Sequence, residues 1–266
     1  MKIERYVRPK TLEEAYSLVQ KERGFPIGGG AWSRMNTRKV ELAVDLSLLD
    51  LDYIRVTPER TEIGAMATAR EVETSLELEK SLGTILRDAV THIVGVQMRN
   101  IVTVGGTVSG KYGFSDLLTA LLALNAQVGL YGEGEVPLYE FLQKPSKGPQ
   151  LIEKISLETG KVKGAFTSMR KTHTDFPVLN ASAVWRGGNW RIAVGARPGA
   201  AQLSLKAASA LGGESTPSSE AAAQAGKEAA SELSFGSDIR GSSAYRKQIS
   251  ETLVKRAILK AIEEAS

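Results

Sequence analysis

The chain has 266 residues, a formal net charge of +4 at pH 7, 42% hydrophobic residues and 24% charged residues. This length and balance predict a globular protein of one large domain or two modest ones, and they exclude a largely disordered chain. No run of about 18 uncharged apolar residues occurs, so the sequence predicts no membrane-spanning segment. The first ten residues carry charges where a secretory signal peptide needs an apolar stretch, and we therefore expect a cytoplasmic protein.

The chain contains no cysteine and two histidines, His92 and His173. The lack of cysteine excludes disulfide bonds, thiolate catalysis and any cysteine-ligated zinc or iron–sulfur site in this chain. A histidine-rich metal site is excluded as well, and a Ser-His-Asp triad would need one of these two side chains. Basic and acidic residues are interspersed, so the small positive charge indicates a solvated surface rather than a nucleic-acid-binding face.

The first 159 residues alternate predicted strands and helices. A short strand precedes a capping box at Thr11 and Glu14, which opens a helix, and a strand over 24–27 then runs into three glycines. The remaining predicted elements are strands at 41–46, 53–56, 61–64, 126–131 and 151–157 and helices after Thr68, over 82–90 and after Ser115. The chain thus begins with a βαβ-like unit whose glycines follow the second strand.

From about residue 160 the pattern changes to strands followed by helices. Strands are predicted at 162–170, 178–185 and 190–196, with a hairpin turn at 187–189, and helices at 201–211, 217–233 and 243–264. This order indicates an antiparallel sheet covered by helices on one face. We therefore expect a second domain of the α+β class.

Two glycine-containing loops are candidate phosphate-binding sites. The first covers 26–33 (PIGGGAWS), and the second covers 103–107 (TVGGT). Glycines let several backbone N–H groups converge on phosphate oxygens, and two such loops suit the two phosphates of a pyrophosphate. A single Gly-Gly pair is more often only a tight turn. Neither loop matches the Rossmann fingerprint or the Walker P-loop.

The segment 95–126 resembles the signature of the FAD-binding medium subunit of molybdenum hydroxylases, the xanthine dehydrogenase, carbon monoxide dehydrogenase and aldehyde oxidoreductase family. The resemblance rests on 97–108 (QMRNIVTVGGTV), on Asp116 and on 121–124 (LLAL). The first glycine loop is similar to the family's first pyrophosphate loop, and the tail 240–247 (RGSSAYRK) is similar to part of its C-terminal domain. The resemblance spans nearly the whole chain in the right order.

The resemblance implies an α+β fold. It predicts an FAD-binding domain of the PCMH type over 1–159, with subdomains of about 1–52 and 53–159 and the flavin between them. It also predicts a C-terminal domain of the CO dehydrogenase flavoprotein type over 160–266, with an antiparallel sheet and helices.

The resemblance further implies which residues hold FAD. Residues 28–32 would line the first pyrophosphate loop and 103–107 the second, Asp116 would accept hydrogen bonds from sugar or ribityl hydroxyls, and Ile93 and Leu151 would contact the flavin end. The expected cofactor-binding residues are Ile27, Gly28, Gly29, Gly30, Ala31, Trp32, Ser33, Ile93, Thr103, Val104, Gly105, Gly106, Thr107, Asp116 and Leu151. No catalytic acid, base or metal ligand is expected, because a flavin supplies its own redox chemistry.

The same resemblance implies partners. In the family, a large subunit oxidises the substrate at a molybdopterin cofactor, and electrons pass through iron–sulfur clusters on a small subunit to the FAD of the medium subunit. A terminal acceptor then takes them. The absence of cysteine here agrees with this division, and we expect a heterotrimer without a nucleic-acid partner.

Two alternatives stay open at this point. Ala31-Trp32 stands where the family usually has a Thr-Asp or His-Ser pair, and 109–115 lacks the usual proline, which favours a flavin-free docking subunit. A stand-alone FAD-dependent reductase on the same fold is the other, although the tail motif argues against it. We expect Trp32 either to cover the cofactor or to pack at the subdomain interface, His92 to cap a helix, and basic tail residues such as Arg246 to lie on a solvated face or a subunit contact.

Overall fold

The computed structural model describes residues 1–35, 37–144 and 148–264. The strands are β1 (Lys2–Val7), β2 (Phe25–Ile27), β3 (Lys39–Asp45), β4 (Ile54–Val56), β5 (Arg60–Gly64), β6 (Gln127–Leu130), β7 (Gly134–Pro137), β8 (Ile152–Glu158), β9 (Lys163–Met169), β10 (Leu179–Arg186), β11 (Asn189–Gly195) and β12 (Gln202–Leu203). The α-helices are α1 (Leu12–Lys21), α2 (Ala69–Thr74), α3 (Leu76–Leu82), α4 (Ile85–Thr91), α5 (Val96–Arg99), α6 (Val104–Gly110), α7 (Asp116–Ala123), α8 (Leu138–Gln143), α9 (Leu205–Ala210), α10 (Ser219–Glu232) and α11 (Ser243–Glu263). Along the described parts of the chain, no helix is long and apolar enough to cross a bilayer.

The N-terminal sheet is parallel and carries the first glycine loop. Its strand order is β1-β3-β2, and α1 connects β1 to β2. The predicted cap forms, because Thr11 accepts a hydrogen bond from the Glu14 N–H at 3.1 Å. Ala15 and Val19 of α1 are buried in the same core as Val44 of β3. The βαβ-like start is therefore confirmed, and the first loop leaves the carboxyl end of a parallel strand, where ligands of open α/β sheets bind.

The second sheet is antiparallel and supports the second glycine segment. Its order is β4-β5-β8-β6-β7. The start of α6 docks on the chain just after β5, because the N–H of Val104 donates to Ala67 O and the N–H of Gly105 donates to Ala65 O, both at 2.8 Å. The helix α7 is buried along its whole length and packs between this unit and the C-terminal sheet.

The C-terminal sheet is antiparallel, in the order β12-β11-β10-β9; α9 and α11 pack against it, and α10 packs against both helices. The predicted hairpin forms, with Arg186 opposite Asn189 and the turn at Gly187 and Gly188, whose φ angles are 56° and 84°. Positive φ at both turn residues suits the twist of a two-residue hairpin. The α+β class with an antiparallel C-terminal sheet is thus confirmed, whereas the domain boundary at 159/160 stays a prediction.

The second glycine segment is a helix, so its prediction as a loop is wrong. Thr103 is the N-cap of α6, and its Oγ1 accepts a hydrogen bond from the Gly106 N–H at 3.2 Å. Glycine costs about 1 kcal/mol relative to alanine inside a helix. Here the cost is offset by close packing, since a Cβ on Gly105 would lie 2.8 Å from Ala65 O.

Arg246 of the tail motif is a buried brace, which corrects the expectation of a solvated or subunit-contacting residue. Its side chain is 1% exposed. Its guanidinium donates to Val178 O at 2.8 Å, to Gly236 O at 2.9 Å and to Gly241 O at 2.5 Å. It also pairs with Asp238 Oδ1 at 2.6 Å. The tail motif therefore ties the turn before α11 to the start of β10.

We expect Arg246→Ala to lower the free energy of unfolding by roughly 1–3 kcal/mol, because it leaves the carbonyls of Val178, Gly236 and Gly241 without this donor. Lys247→Ala, at the exposed neighbouring position, is the matched control and should change it by less than about 0.5 kcal/mol. Urea unfolding followed by circular dichroism measures both. Equal effects of the two substitutions would show that the brace contributes nothing.

Candidate functional site

The first glycine loop lies directly against the segment that leads into α6. A Cβ on Gly29 would lie 1.7 Å from the carbonyl oxygen of Ile101, and a Cβ on Gly28 would lie 2.6 Å from Thr103 Oγ1. Only glycine allows the two backbones to approach this closely. The two glycine segments, which the sequence predicts to bind one pyrophosphate together, are therefore in contact.

A cavity opens between these two segments, and we call it the loop cleft. Ten of the predicted cofactor-binding residues line it: Ile27, Gly28, Gly29, Gly30, Ala31, Trp32, Ser33, Thr103, Gly106 and Thr107. Ser109 and Tyr112 line it as well and were not predicted. Their signal in the sequence is weak, because they lie in the 109–115 connection that departs from the family pattern.

The backbone N–H groups of the first loop are free to bind an anion. Among the described residues, no hydrogen bond is donated by the N–H groups of 28–32. Gly30 has a φ of +70°, a left-handed conformation, and its carbonyl accepts from the Arg34 N–H at 3.2 Å. Successive N–H groups around a left-handed residue form a concave nest that binds anions. The first loop thus supplies the donors of the cleft.

The second glycine segment does not supply free donors in the same way. The N–H groups of Val104 and Gly105 donate to carbonyls near β5, and that of Gly106 donates to Thr103 Oγ1. The hydroxyl of Thr107 donates to Thr103 O at 2.9 Å. The two segments therefore differ in how many backbone N–H groups have protein partners, and the phosphate-binding role of each stays a prediction.

Five predicted residues do not line the loop cleft; Ile93 and Asp116 line a second cavity, and Val104, Gly105 and Leu151 line neither. Val104 is buried in the core, and Gly105 lines a neighbouring cavity beside Ile152. Leu151 is fully buried in the hydrophobic core, and its carbonyl accepts from the Tyr131 N–H at 2.9 Å. Because neighbouring side chains of an extended segment point in opposite directions, Ile152 faces the cavity and Leu151 does not. A side-chain contact from Leu151 to a cofactor is not supported.

A second cavity adjoins the loop cleft where the C-terminal domain begins, and we call it the junction cavity. Ile93 and Asp116, both predicted, line it together with Arg170 of the C-terminal domain. Trp32 and Tyr112 line both cavities. The two cavities are therefore neighbours that share a wall.

Asp116 is buried, and both of its carboxylate oxygens have protein partners. Oδ2 accepts from Arg170 Nη2 at 2.5 Å, and Oδ1 accepts from Asn180 Nδ2 at 2.8 Å. Burial raises the pKa of Asp116, and Arg170 and Asn180 oppose that shift only in part. The carboxylate thus links α7 to the C-terminal sheet and holds Arg170 at the junction cavity. Its predicted contact with cofactor hydroxyls stays a prediction.

Four aromatic rings from three parts of the chain form one cluster at this wall, which we call the aromatic cluster: Trp32, Tyr112, Phe114 and Phe176. The Trp32 ring centroid lies 5.8 Å from that of Tyr112, 5.4 Å from that of Phe114 and 5.5 Å from that of Phe176. The rings of Phe114 and Phe176 are 4.5 Å apart. Trp32 therefore packs against rings from other parts of the chain, and its contact with a cofactor stays a prediction.

His92 and His173 meet beside the junction cavity, with ring centroids 4.7 Å apart in an edge-to-face arrangement. His92 follows α4 as its C-cap, as expected. Its Nδ1 is buried without a hydrogen-bond partner among the described residues. Burial, together with the nearby Arg170 cation and His173, lowers the pKa of His92. These surroundings favour the neutral form of the imidazole.

We expect Gly29→Ala to lower the melting temperature and to weaken binding of ADP, a soluble diphosphate, because the new methyl group would overlap Ile101 O. Gly199→Ala is the matched control, since a Cβ at that position meets no atom within 4 Å. Differential scanning fluorimetry and titration calorimetry measure the two effects. A Gly29→Ala protein as stable and as tight for ADP as the Gly199→Ala protein would contradict the packing described.

Comparison with known proteins gives two family matches that together span most of the chain. Residues 1–157 match the FAD binding domain in molybdopterin dehydrogenase. Residues 164–261 match the CO dehydrogenase flavoprotein C-terminal domain.

Two curated relatives come from Paenarthrobacter nicotinovorans. The 6-hydroxypseudooxynicotine dehydrogenase complex subunit alpha is 28% identical over 240 residues, which cover 84% of this chain and 80% of that protein. The nicotine 6-hydroxylase medium subunit is 26% identical over 277 residues, which cover 97% of this chain and 96% of that protein.

Two solved structures share the fold over almost the whole chain. Carbon monoxide dehydrogenase from Hydrogenophaga pseudoflava superposes with a TM-score of 0.90 at 23% identity, covering 99% of this chain and 98% of that one. Quinoline 2-oxidoreductase from Pseudomonas putida 86 superposes with a TM-score of 0.88 at 22% identity, covering 100% and 98%.

Proposed function

This chain belongs to the family of FAD-binding domains in molybdopterin dehydrogenases. From that premise, we propose that it binds FAD and that electrons pass through this FAD from a donor on a partner subunit to a terminal acceptor. The predictions of an FAD-binding medium subunit of the molybdenum hydroxylase family, and of an oxidoreductase component, are confirmed. The route of the electrons and the individual FAD-binding residues belong to the proposal.

One observation carries the proposal. Residues 28–32 line a cleft whose other wall includes 101–103, Gly106 and Thr107, and among the described residues the N–H groups of 28–32 donate no hydrogen bond. A diphosphate needs several convergent donors and a wall that no side chain fills, and the glycines provide both. The residues present therefore fit the diphosphate of FAD.

We assign each part of the site a binding role. The N–H groups of the first loop would hold the diphosphate, and Thr103 and Gly106 would shape its wall. Ile93 and Arg170 would lie beside the flavin end, at the junction cavity. A bound flavin supplies the redox chemistry, and the protein supplies position and charge. Arg170 forms an ion pair with Asp116. Its positive charge would lie beside the flavin and would stabilise negative charge on it.

The donor must lie on another chain, because this sequence contains no cysteine to ligate an iron–sulfur cluster. We propose a small iron–sulfur subunit and a large molybdopterin-binding subunit as partners, and an acceptor that reaches the flavin from solvent. Support comes from relatives that are themselves named as a complex subunit and a medium subunit. The cytoplasmic location expected from the sequence stays a prediction.

A flavin-free docking subunit is the second candidate, and the aromatic cluster favours it. The rings of Trp32, Tyr112, Phe114 and Phe176 occupy the wall between the loop cleft and the junction cavity, where a flavin would have to pass. A stand-alone reductase is less well supported, because 164–261 match a domain of the CO dehydrogenase flavoprotein.

We expect the purified chain to take up FAD in a 1:1 ratio, with ADP competing and adenosine not competing, since the N–H groups recognise the diphosphate. Flavin absorbance after gel filtration and titration calorimetry measure uptake and competition. FMN, which lacks the diphosphate bridge, is the control ligand and should bind more weakly. A folded chain that binds neither FAD nor ADP, alone or with its partner subunits, would refute the proposal.

A further inference from the structure

Four residues line both the loop cleft and the junction cavity: Trp32, Val102, Thr107 and Tyr112. Two of them are aromatic, and the ring centroids of Trp32 and Tyr112 are 5.8 Å apart. An ADP moiety ends at the diphosphate and needs the loop cleft alone. In the proposed function the flavin attached to that diphosphate continues into the junction cavity, which Ile93 lines. The contact between the two rings therefore stands between a site for ADP and a site for FAD.

Tyr112 is the fixed side of this contact. Lys111, just before it, has a left-handed φ of 47°, and its ammonium donates to Phe141 O at 2.6 Å. Gly113, just after it, accepts from the Ala196 N–H at 2.9 Å through its carbonyl. The Tyr112 ring also packs where a Cβ on Gly110 would lie 2.2 Å away. These contacts hold the backbone on both sides of Tyr112, and its ring packs against Gly110.

Trp32 is the loosely held side. Its indole N–H makes no hydrogen bond within the described residues, whereas the indole N–H of Trp185 donates to Gly213 O at 3.1 Å and that of Trp190 donates to Glu214 O at 2.7 Å. The N–H of Trp32 is also the last in the run 28–32, whose N–H groups have no protein partner among the described residues. Ring packing is what holds it, so its side chain can move without breaking a hydrogen bond.

We propose that Trp32 is a movable partition that decides which nucleotide the site accepts. With the indole against Tyr112, the loop cleft binds a nucleoside diphosphate. FAD binds fully when the indole has left that position. This inference rests on the proposed function, and it makes Trp32 a specificity-determining residue.

The proposal has a kinetic consequence. Apparent affinity falls by the fraction of molecules that are competent to bind, so the partition weakens binding of FAD and leaves binding of ADP unchanged. Opening also sets an upper limit on the rate of FAD uptake. Both effects disappear when the indole is removed.

The test compares the unaltered chain with Trp32→Ala and Trp32→Leu, using Trp185→Phe in the C-terminal domain as the matched control. Stopped-flow flavin fluorescence measures uptake, and calorimetry measures ADP affinity. We expect the uptake rate of the unaltered chain and the control to level off with rising FAD. In the Trp32 variants it should rise linearly and exceed that limit by about tenfold or more, because minor states are typically populated at about 0.1–10%. ADP affinity should change much less than the rate of FAD uptake, because both substitutions keep the loop N–H groups.

A second measurement follows the position of the Trp32 ring in the unsubstituted chain. In chain labelled with 5-fluorotryptophan, the fluorine resonance of Trp32, assigned from its loss in Trp32→Leu, should move with FAD and stay in place with ADP. Equal FAD kinetics in the unaltered chain and both Trp32 variants, or equal fluorine shifts with the two nucleotides, would overturn the partition alone. ADP binding without FAD binding, converted to FAD binding by Trp32→Ala, would support it. Failure of every variant to bind either nucleotide would refute the proposed function and the partition with it.

Discussion

The site depends on one close contact between two stretches of backbone. Gly29 lies against the carbonyl of Ile101 so tightly that no larger residue fits. That contact brings the end of β2 to the start of α6, although β2 belongs to the N-terminal sheet and α6 docks on the second sheet. A second close approach, of Gly105 to Ala65, fixes α6 on its own sheet. Glycine is needed at both places for its missing side chain, and the cleft is the space that results.

The two glycine segments differ in what their backbone groups do. The first N–H groups of a helix have no intrahelical partners, and in α6 they are used for docking and capping. Those of 28–32 belong to no helix or strand, and they lack protein partners among the described residues. We therefore propose that the loop binds the anion and that the docked helix supports it. The loop with the free N–H groups also carries Trp32, whose indole is held by ring packing.

Local patterns predicted much of the fold, and long-range contacts account for what they missed. The cap at Thr11 and the hairpin at Gly187 are local devices, and both form. The helix over Val104–Gly110 was missed because glycine has a poor helix propensity and tertiary carbonyls fix the segment. The burial of Arg246 depends on a turn near Asp238 that no helical pattern reveals. Phe176 reaches the site from another domain, which spacing along the chain cannot show.

The central claim is that the first loop, and not the helix α6, donates to a diphosphate. The most direct measurement is the change in backbone amide resonances when ADP is added to the ¹⁵N-labelled chain. The account predicts the largest downfield proton shifts, with slowed hydrogen exchange, in residues 28–32 and much smaller changes in 104–106. Shifts centred on 104–106, or spread over neither segment, would contradict it.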